Sequence, residues 1–324
     1  MRVAIVGAGR RGIVHGRAAK AYPGTEVVAV CDPDSERAEK LAGELGARVY
    51  ASHREALDVG KLDAMYLTSP PPVHTQQALD ALDAGCALMI EKPVALDMES
   101  VHRVGRKAEE AGRLVVVCQQ HRYATGAMRA KEVLAGKKVA LVHSFLYRQK
   151  PDIRGNWKRD WGGGHIVENQ IHPLDFARYQ IGDVATVYAQ YSEHVLAGTE
   201  DWDNWDSYSV SLRFANGATG SIGTTYAAFP KIPQSSGFDI VADGAVVRYS
   251  GSKVEIFTPD GQAETIPSTQ DPTITIGHEF LRALETGDRS RLRQDYADAA
   301  RSLEVCLAAN ESAESGKVIH LNHG

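Results

Sequence analysis

The chain opens with the stretch Arg2-Val3-Ala4-Ile5-Val6-Gly7-Ala8-Gly9-Arg10-Arg11-Gly12, in which a short apolar run leads directly into a G-x-G-x-x-G pattern. A helix-like segment follows at residues 13–22, and a second apolar run, residues 27–30, ends in Cys31-Asp32. Asp32 lies 20 positions after Gly12, the spacing expected of a dinucleotide-binding βαβ unit. The order of strand, glycine turn, helix, strand and acid predicts a doubly wound α/β domain that binds a dinucleotide.

The glycine turn has a mechanical role at each of its positions. The first glycine permits a tight turn, the second lets the backbone approach a pyrophosphate, and the third lets helix and strand pack closely. Free N–H groups at the start of the helix then face the phosphates. The turn residues predicted to contact the cofactor are Gly7, Ala8, Gly9, Arg10, Arg11 and Gly12. The alternative is a glycine-rich turn that binds nothing.

Asp32 bears on which cofactor is used. Its carboxylate is expected to accept hydrogen bonds from the adenosine ribose and to repel a 2′-phosphate, so NAD is favoured over NADP. No arginine follows Asp32 immediately, although Arg37, and Arg10 or Arg11, could reach a phosphate. NADP is therefore the less favoured cofactor.

Composition restricts the classes of protein to which this chain can belong. The chain has 324 residues, of which 43% are hydrophobic and 24% charged, with a formal net charge of −5. These values are ordinary for a globular protein, and there is no polybasic run to bind nucleic acid. There is neither a signal-peptide pattern nor an apolar run of membrane-spanning length. The four cysteines are scattered in apolar surroundings, which favours reduced thiols and a cytoplasmic location.

The pattern of secondary structure changes near residue 121. Before it, apolar strand-like runs alternate with amphipathic helices, which predicts a Rossmann domain, a doubly wound parallel sheet, over residues 1–121. After it, strands separated by turns such as Asn216-Gly217 dominate. We expect residues 122–324 to form an α+β domain for substrate binding and oligomerisation, with a large open, mainly antiparallel sheet. The last helices could pack back on the first domain. Because an open sheet leaves one face to cover, we expect a homodimer or homotetramer through it.

Glu91-Lys92-Pro93 is the most informative chemical motif in the first half. It follows the apolar run Ala87–Ile90, so its lysine is expected at the carboxyl edge of the parallel sheet, where such folds bind ligands. Lys92 can donate a hydrogen bond to a substrate hydroxyl and favour its deprotonation. The other residues of this edge predicted to bind the cofactor are Ser69, Pro70, His74, Glu91 and Lys92 itself. His74 could instead cap a helix, and His15 is expected to pack in the core.

A second group of chemically active residues lies in Gly162-Gly163-Gly164-His165-Ile166-Val167-Glu168-Asn169-Gln170-Ile171-His172-Pro173. Glu168 and His172 are four positions apart, so on a helix they share one face. A carboxylate beside an imidazole raises its basicity and orients it, as proton removal from an alcohol requires. The alternatives are a surface ion pair or a core histidine. His165, Glu168 and His172 could bind zinc in principle, but no clear supporting ligand set accompanies them, so no metal is predicted.

Aromatic and polar residues near these motifs are candidates for substrate binding, because such side chains stack on sugar rings and bind hydroxyls. They are equally ordinary on loops. The predicted substrate-binding residues are Arg122, Tyr123, Trp157, Arg159, Trp161 and His172.

The runs GAGRRG, CDPD, TSPPPVH, EKP, GGGHIVENQIHPLD and LEVCLAANESAESGK together resemble the glucose–fructose oxidoreductase, inositol dehydrogenase and rhizopine-catabolism (Gfo/Idh/MocA) family over nearly the whole chain. The resemblance implies NAD(P)-dependent chemistry on a sugar, polyol or ring alcohol, with Lys92, Glu168 and His172 lining the nicotinamide site. Three residues depart from the family pattern: Glu168 stands for aspartate, Pro71 for asparagine and Gln170 for glycine. Substrate choice therefore cannot be transferred.

The expected function is an oxidoreductase that transfers hydride between a nicotinamide cofactor and a sugar, polyol or inositol-like hydroxyl. In this hypothesis His172 accepts the proton of the substrate hydroxyl, and Glu168 orients His172. Lys92 stabilises the negative charge that develops on the substrate oxygen. Two alternatives use the same fold. One is a redox-assisted glycoside hydrolase or lyase that uses bound NAD, and the other is an NAD-binding regulatory protein that has lost catalysis.

Overall fold

The computed structural model describes residues 1–58, 60–232, 235–261 and 263–321. Contacts divide the chain into two compact units, one of Met1–Tyr123 with Asp271–Ala300 and one of Ala124–Gln270 with Arg301–Gly324. Residues 271–300, which the sequence-based division placed in the second domain, are thus grouped with the first unit. The boundary after residue 121 stays a prediction.

The first unit is built on a six-stranded sheet in the order β3-β2-β1-β4-β5-β6, in which every pair is parallel. Its strands are β1 Arg2–Val6, β2 Glu26–Cys31, β3 Arg48–Tyr50, β4 Ala64–Leu67, β5 Ala87–Ile90 and β6 Val115–Val117. The strand order reverses between β1 and β4. In such a sheet the crevice beyond the carboxyl ends of the strands at this point is where ligands bind.

Helices connect these strands. They are α1 Arg10–Ala21, α2 Ser35–Leu45, α3 His53–Leu57, α4 Pro71–Asp83 and α5 Met98–Ala111, with α9 Pro272–Thr286 added from late in the chain. Local signals set several ends: the Asp97 side chain accepts from Ser100 N–H at the start of α5, and Gly112 in the left-handed region ends it. The late helix packs against α1 and places Phe280 edge-on against Tyr66, with ring centroids 5.7 Å apart.

The second unit contains a nine-stranded sheet in the order β14-β13-β12-β11-β7-β10-β9-β8-β15. Its strands are β7 Val139–Tyr147, β8 Val184–Ser192, β9 Ser207–Phe214, β10 Thr219–Thr225, β11 Ser236–Ala242, β12 Ala245–Tyr249, β13 Lys253–Phe257, β14 Ala263–Pro267 and β15 Ile319–His320. All pairs are antiparallel except β7 with β10. The predicted fold class, a Rossmann sheet followed by a mainly antiparallel sheet, is confirmed.

One face of this second sheet is buried and the other is more open. Along β9, Tyr208, Val210, Leu212 and Phe214 are buried while the residues between them are exposed or half-buried, the alternation expected of a sheet covered on one side. The helices of the unit are α6 Ala127–Leu134, α7 Arg159–Gly162 and α8 Ile171–Ile181, with the later part of α10 Tyr296–Ser315. Within the described residues, no helix has the length and apolar character needed to span a bilayer.

Candidate active site

The glycine turn between β1 and α1 is closed by contacts that leave no room for side chains at two positions. Gly7 has φ of +100°, and a Cβ there would lie 2.7 Å from Ser69 N. A Cβ on Gly12 would lie 1.8 Å from the Gly7 carbonyl oxygen. At Gly9, in contrast, a Cβ would meet nothing within 4 Å. The turn is therefore tightly packed on its inner side and open at Gly9, which fits a backbone that a pyrophosphate can approach.

Asp32, at the end of β2, is joined to this turn. Its Oδ2 accepts the Ala8 N–H at 2.7 Å, and its Oδ1 accepts the Asp34 N–H at 2.9 Å. The Arg37 guanidinium lies 3.4 Å from Oδ1 and also pairs with Asp34 at 2.9 Å. Asp32 therefore orders the glycine turn, and its contact with a ribose stays a prediction.

Glu91 is a buried carboxylate of the first unit that is held by two side chains of α1. It follows β5, is 4% exposed, and accepts hydrogen bonds from Arg11 Nε at 2.6 Å and from His15 Nε2 at 2.8 Å. Burial alone would raise the pKa of Glu91, but the His15 hydrogen bond and the Arg11 charge outweigh burial and lower it. Glu91 was predicted to contact the cofactor; the structure brings it together with two side chains of α1 instead, and its role toward a cofactor stays a prediction.

Lys92 comes next, half-buried, and its peptide bond to Pro93 is cis. Sequence reasoning missed His121, whose pKa burial lowers to about 4, with the nearby positive charge of Lys92 contributing. His121 is therefore a neutral imidazole near the lysine at neutral pH. No pattern in the sequence signalled it.

His74 joins two of the loops at the carboxyl edge of the sheet. Its buried ring lies between the Ser69 carbonyl oxygen, 2.7 Å from Nε2, and the Pro93 carbonyl oxygen, 3.0 Å from Nδ1. Burial lowers the pKa of His74, and these carbonyl groups only partly offset that effect. Ser69 itself donates to Gln77, and Pro70 precedes α4. The ring thus ties the loop after β4 to the Lys92-Pro93 segment.

The acid and histidine of the second unit lie at an irregular helical segment. Residues Ile166–Gln170 form a π-helical turn that continues into α8, of which His172 is the second residue. Pro173 has no N–H to donate back into the preceding turn, which breaks the regular α-helical ladder. Such turns occur frequently at functional sites. Glu168 and His172 are both half-buried.

Glu168 is held by side chains from outside its own helix. Its Oε1 accepts the Asn156 Nδ2–H at 2.6 Å, and its Oε2 accepts the Tyr226 hydroxyl. Burial first, and then the Glu168 charge, hold the pKa of Tyr226 well above its usual value, so this hydroxyl stays a donor. The Tyr226 ring also stacks on His165 with centroids 3.9 Å apart. Neither Asn156 nor Tyr226 lies within a recognisable motif, so no sequence pattern selects them.

His165, considered as a zinc ligand on its spacing, bonds within the protein. Thr224 Oγ1 donates to the Leu146 carbonyl at 2.7 Å, so the His165 Nδ1–H donates to that Oγ1, at 3.0 Å. Among the described residues one set of three potential metal ligands is close together, namely His15, Glu91 and Cys118. The positively charged Arg11 guanidinium lies beside this set, with its Nη2 3.6 Å from Cys118 Sγ.

Two of the predicted substrate-binding residues, Arg122 and Tyr123, bond to a later segment of the first unit. Arg122 is 2% exposed, donates to the Arg293 carbonyl at 3.0 Å and pairs with Asp298. The Tyr123 hydroxyl accepts the Arg293 N–H at 2.8 Å. These contacts favour a structural role for both residues.

Three other predicted substrate residues, Trp157, Arg159 and Trp161, lie shortly before Glu168 along the chain. Arg159 bonds to Asp203 at 3.0 Å, and the Trp157 indole donates to the Pro151 carbonyl at 2.7 Å. Trp161 is 38% exposed, and its indole packs closely on Gly155. A Cβ on Gly155 would lie 2.3 Å from Trp161 Nε1. Because Gly155 precedes Asn156, the exposed indole stands near the amide that holds Glu168.

Both halves of the chain match known proteins. Residues 1–119 match the model described as "Oxidoreductase family, NAD-binding Rossmann fold", and residues 129–247 match the GFO/IDH/MocA C-terminal domain. The chain is 25% identical over 350 residues to scyllo-inositol 2-dehydrogenase (NAD(+)) of Bacillus subtilis, covering 99% of this chain and 96% of that protein. It is 27% identical over 316 residues to D-xylose 1-dehydrogenase (NADP(+)) 2 of Haloferax volcanii, covering 92% of each.

Solved structures show the same fold. A putative myo-inositol dehydrogenase from Sinorhizobium meliloti 1021 superposes with a TM-score of 0.82 at 23% identity, covering 99% of this chain and 100% of the other. An oxidoreductase from Agrobacterium radiobacter in complex with NAD+, L-tartaric acid and magnesium gives a TM-score of 0.84 at 21% identity, covering 99% and 98%. With both domain models matched in order along one chain, this protein belongs to the GFO/IDH/MocA oxidoreductase family.

Proposed function

We propose that this oxidoreductase transfers hydride between a nicotinamide cofactor and a hydroxyl-bearing carbon of a sugar, polyol or inositol-like ring. The observation on which the proposal rests is the position of Lys92, the second residue after β5, at the carboxyl edge of the parallel sheet. The relatives named as xylose and scyllo-inositol dehydrogenases support the substrate class.

The residues of the first unit fit a bound dinucleotide. The open backbone at Gly9 and the N-terminus of α1 suit the pyrophosphate, and Asp32 suits the adenosine ribose. When bound, the cofactor supplies the acceptor or donor of hydride.

The proton chemistry is assigned to three side chains. Lys92 donates a hydrogen bond to the substrate oxygen and stabilises the negative charge that develops there. His172 accepts the hydroxyl proton, and Glu168 orients His172. Asn156 and Tyr226 fix the carboxylate of Glu168 through both of its oxygens.

The test is absorbance of the reduced nicotinamide at 340 nm, with products followed in the same wells, across sugars, inositols and glycosides. We expect reduction with one stereochemical class of alcohol, and a loss of about 10²–10⁴ in turnover in Lys92→Ala and His172→Ala. Near-full turnover in both variants would overturn the assignment. Cleaved glycoside without net reduction would identify the redox-assisted lyase or hydrolase. Cofactor binding without any turnover, together with a protein partner in pull-downs, would favour the regulatory protein.

For the cofactor, we propose a preference for NAD. Asp32 is an anion at the ribose position, and Arg37, the cation near it, is already paired with two carboxylates. Arg11 is engaged with Glu91 and Thr273, so it is directed away from a 2′-phosphate. We expect kcat/KM to be higher with NAD than with NADP. Asp32→Asn removes the negative charge at the ribose position and should bring the two kcat/KM values closer together. A wild-type preference for NADP would contradict this proposal.

We further propose that a second copy of the chain covers the open face of the nine-stranded sheet. His143, Phe145 and Tyr147 form a row of rings along β7 at centroid spacings of 6.0 and 5.2 Å, and Leu141 and Tyr147 are each 38% exposed. An aromatic row on a sheet face favours self-association. Light scattering should give the mass of a dimer or tetramer for the wild type. The double variant Leu141→Glu/Tyr147→Glu should have the mass of a monomer. The control is Met128→Glu, an exposed apolar position on α6.

A cytoplasmic location completes the proposal. Cys31, Cys86, Cys118 and Cys306 are all buried and free, as in proteins that stay in a reducing compartment. Fractionation of the source cells with detection of the native protein tests this, and recovery outside the cytoplasmic fraction would contradict it.

A further inference from the structure

A buried carboxylate joins helix α1 to the loop that contains Lys92. Glu91 is 4% exposed and His15 is fully buried, and the two are 2.8 Å apart between Oε1 and Nε2. Arg11 Nε donates to the same oxygen at 2.6 Å. Arg11 and His15 are four residues apart in α1 and so lie on one face of the helix. The end of β5 is thus held by two donors from the helix that follows the glycine turn.

The hydrogen bonds define the proton on His15. Its Nδ1 is buried and has no hydrogen-bond partner among the described residues. A lone proton on Nδ1 would be a buried donor without an acceptor, which is costly, so Nε2 carries a proton and donates it to Glu91. Arg11 supplies a positive charge beside the same carboxylate.

The second oxygen of Glu91 faces the lysine. Glu91 Oε2 accepts the backbone N–H of Lys92 at 3.2 Å. One carboxylate therefore bonds to α1 through Oε1 and to the backbone of Lys92 through Oε2. Fixing the first oxygen fixes the second, because the group is planar and rigid.

We propose that His15 is a positioning residue for Lys92 and acts through Glu91. His15 touches no reacting atom; its Nε2–H orients the Glu91 carboxylate, which in turn holds the backbone from which the Lys92 side chain extends. The role of Lys92 in hydride transfer rests on the proposed function, whereas the bond between Glu91 and the Lys92 backbone can be measured without any substrate.

Four variants test the proposal. His15→Gln keeps an N–H at the reach of Nε2, while His15→Leu removes the donor and keeps much of the volume. His15→Asn carries an amide too short to reach Glu91 and serves if the leucine variant does not fold. The matched control is Tyr66→Phe, which changes a buried ring 5.7 Å from the His15 ring and removes a hydroxyl that has no partner among the described residues.

The first measurement is hydrogen–deuterium exchange on the cofactor-free protein. The peptide containing Lys92 and Val94 should exchange at least about tenfold faster in His15→Leu or His15→Asn, because the Lys92 N–H loses its fixed acceptor. It should exchange as in the wild type in His15→Gln and Tyr66→Phe. The peptide covering β6, which contains none of the substitutions, should be unchanged in all four. Equal acceleration of both peptides would mean that His15 only stabilises the fold.

The second measurement is steady-state kinetics with the substrate class found above. His15→Leu should lower kcat by about 10–100-fold with KM for the cofactor within about twofold, since misplacement of a catalytic group costs rate. His15→Gln should retain most of the wild-type kcat. If Lys92→Ala abolishes turnover while His15→Leu does not lower it, the positioning role is wrong and the proposed function stands. If the wild type has no dehydrogenase activity, the exchange result still decides whether His15 orders the Lys92 segment.

Discussion

The glycine turn allows a paired experiment in which two alanine substitutions three residues apart have different consequences. In Gly12→Ala the new Cβ would lie 1.8 Å from the Gly7 carbonyl oxygen and 3.1 Å from Thr68 Oγ1. Because the nearest atom belongs to the backbone, the turn must move by more than about 1 Å. Overpacking of this kind costs about 1–3 kcal/mol and occasionally more, and we expect Gly12→Ala at the upper end.

Gly9→Ala meets no such obstacle, since a Cβ at Gly9 has nothing within 4 Å and its φ of −73° suits any residue. Replacing glycine by alanine at this helix N-cap should cost only about 0.5–1 kcal/mol. A new methyl group on the open side of the turn would, however, stand in the path of the pyrophosphate. We therefore expect NAD affinity to fall at least about tenfold, or roughly 1.4 kcal/mol.

Thermal unfolding and calorimetric titration with NAD separate the two effects. At about 2–4 °C per kcal/mol for a unit of this size, Gly12→Ala should melt about 6–12 °C lower than the wild type, and Gly9→Ala within about 4 °C of it. If Gly12→Ala melts within about 2 °C of the wild type, the packing reasoning is refuted. If Gly9→Ala binds NAD as tightly as the wild type, the backbone at Gly9 is not the phosphate contact.

Three further outcomes follow from the contacts. Glu91→Gln should lower the urea midpoint at pH 7 by about 1–2 M, because breaking a buried pair costs about 3–5 kcal/mol. Folding lowers the pKa of Glu91, so the contribution of its carboxylate to stability is complete above about pH 4.3 and is lost as the pH falls. The difference in urea midpoint between Glu91→Gln and the wild type should therefore shrink in acid. Tyr226→Phe keeps the stack on His165 but removes the donor to Glu168, so kcat should fall about tenfold while the melting temperature changes by only a few degrees, and an unchanged kcat would disprove the assignment. Gly155→Ala should displace the Trp161 indole and so quench or shift its fluorescence. It should also raise KM for the substrate more than KM for NAD. Equal changes in the two KM values would exclude a substrate role for the indole.

Elements with strong local signals were predicted accurately from the sequence. Residues 35–45 and 98–111 form helices with the expected ends, because Asp34 and Asp97 cap their first turns and glycines follow their last turns. The strand at residues 139–147 was also predicted with the right ends. In the candidate site, the strand Ala87–Ile90 before Lys92 was predicted from its apolar run, whereas the roles of Lys92, Glu168 and His172 stay predictions.

Features that depend on distant residues were not predictable. The parallel pairing of β7 with β10 joins strands separated by two others in the chain, and no local pattern encodes it. The π-helical turn at Glu168 replaces the regular helix that the spacing suggested. The contacts of Arg122 with residues 293–298, some 170 positions later, could not be foreseen from the sequence. Its predicted substrate role stays a prediction.

The helix α9 has a consequence for the order in which the protein can fold during synthesis. Ile276, Phe280 and Leu281 are buried in the same core cluster as Tyr66, although about 200 residues are made between them. A ribosome that has released residues 1–123 has produced all six parallel strands but not the helix that covers part of their core. The nascent first unit must therefore wait, at about 5–20 residues per second, for about 8–30 s with an apolar surface uncovered. Chaperone dependence during synthesis should be concentrated in that interval.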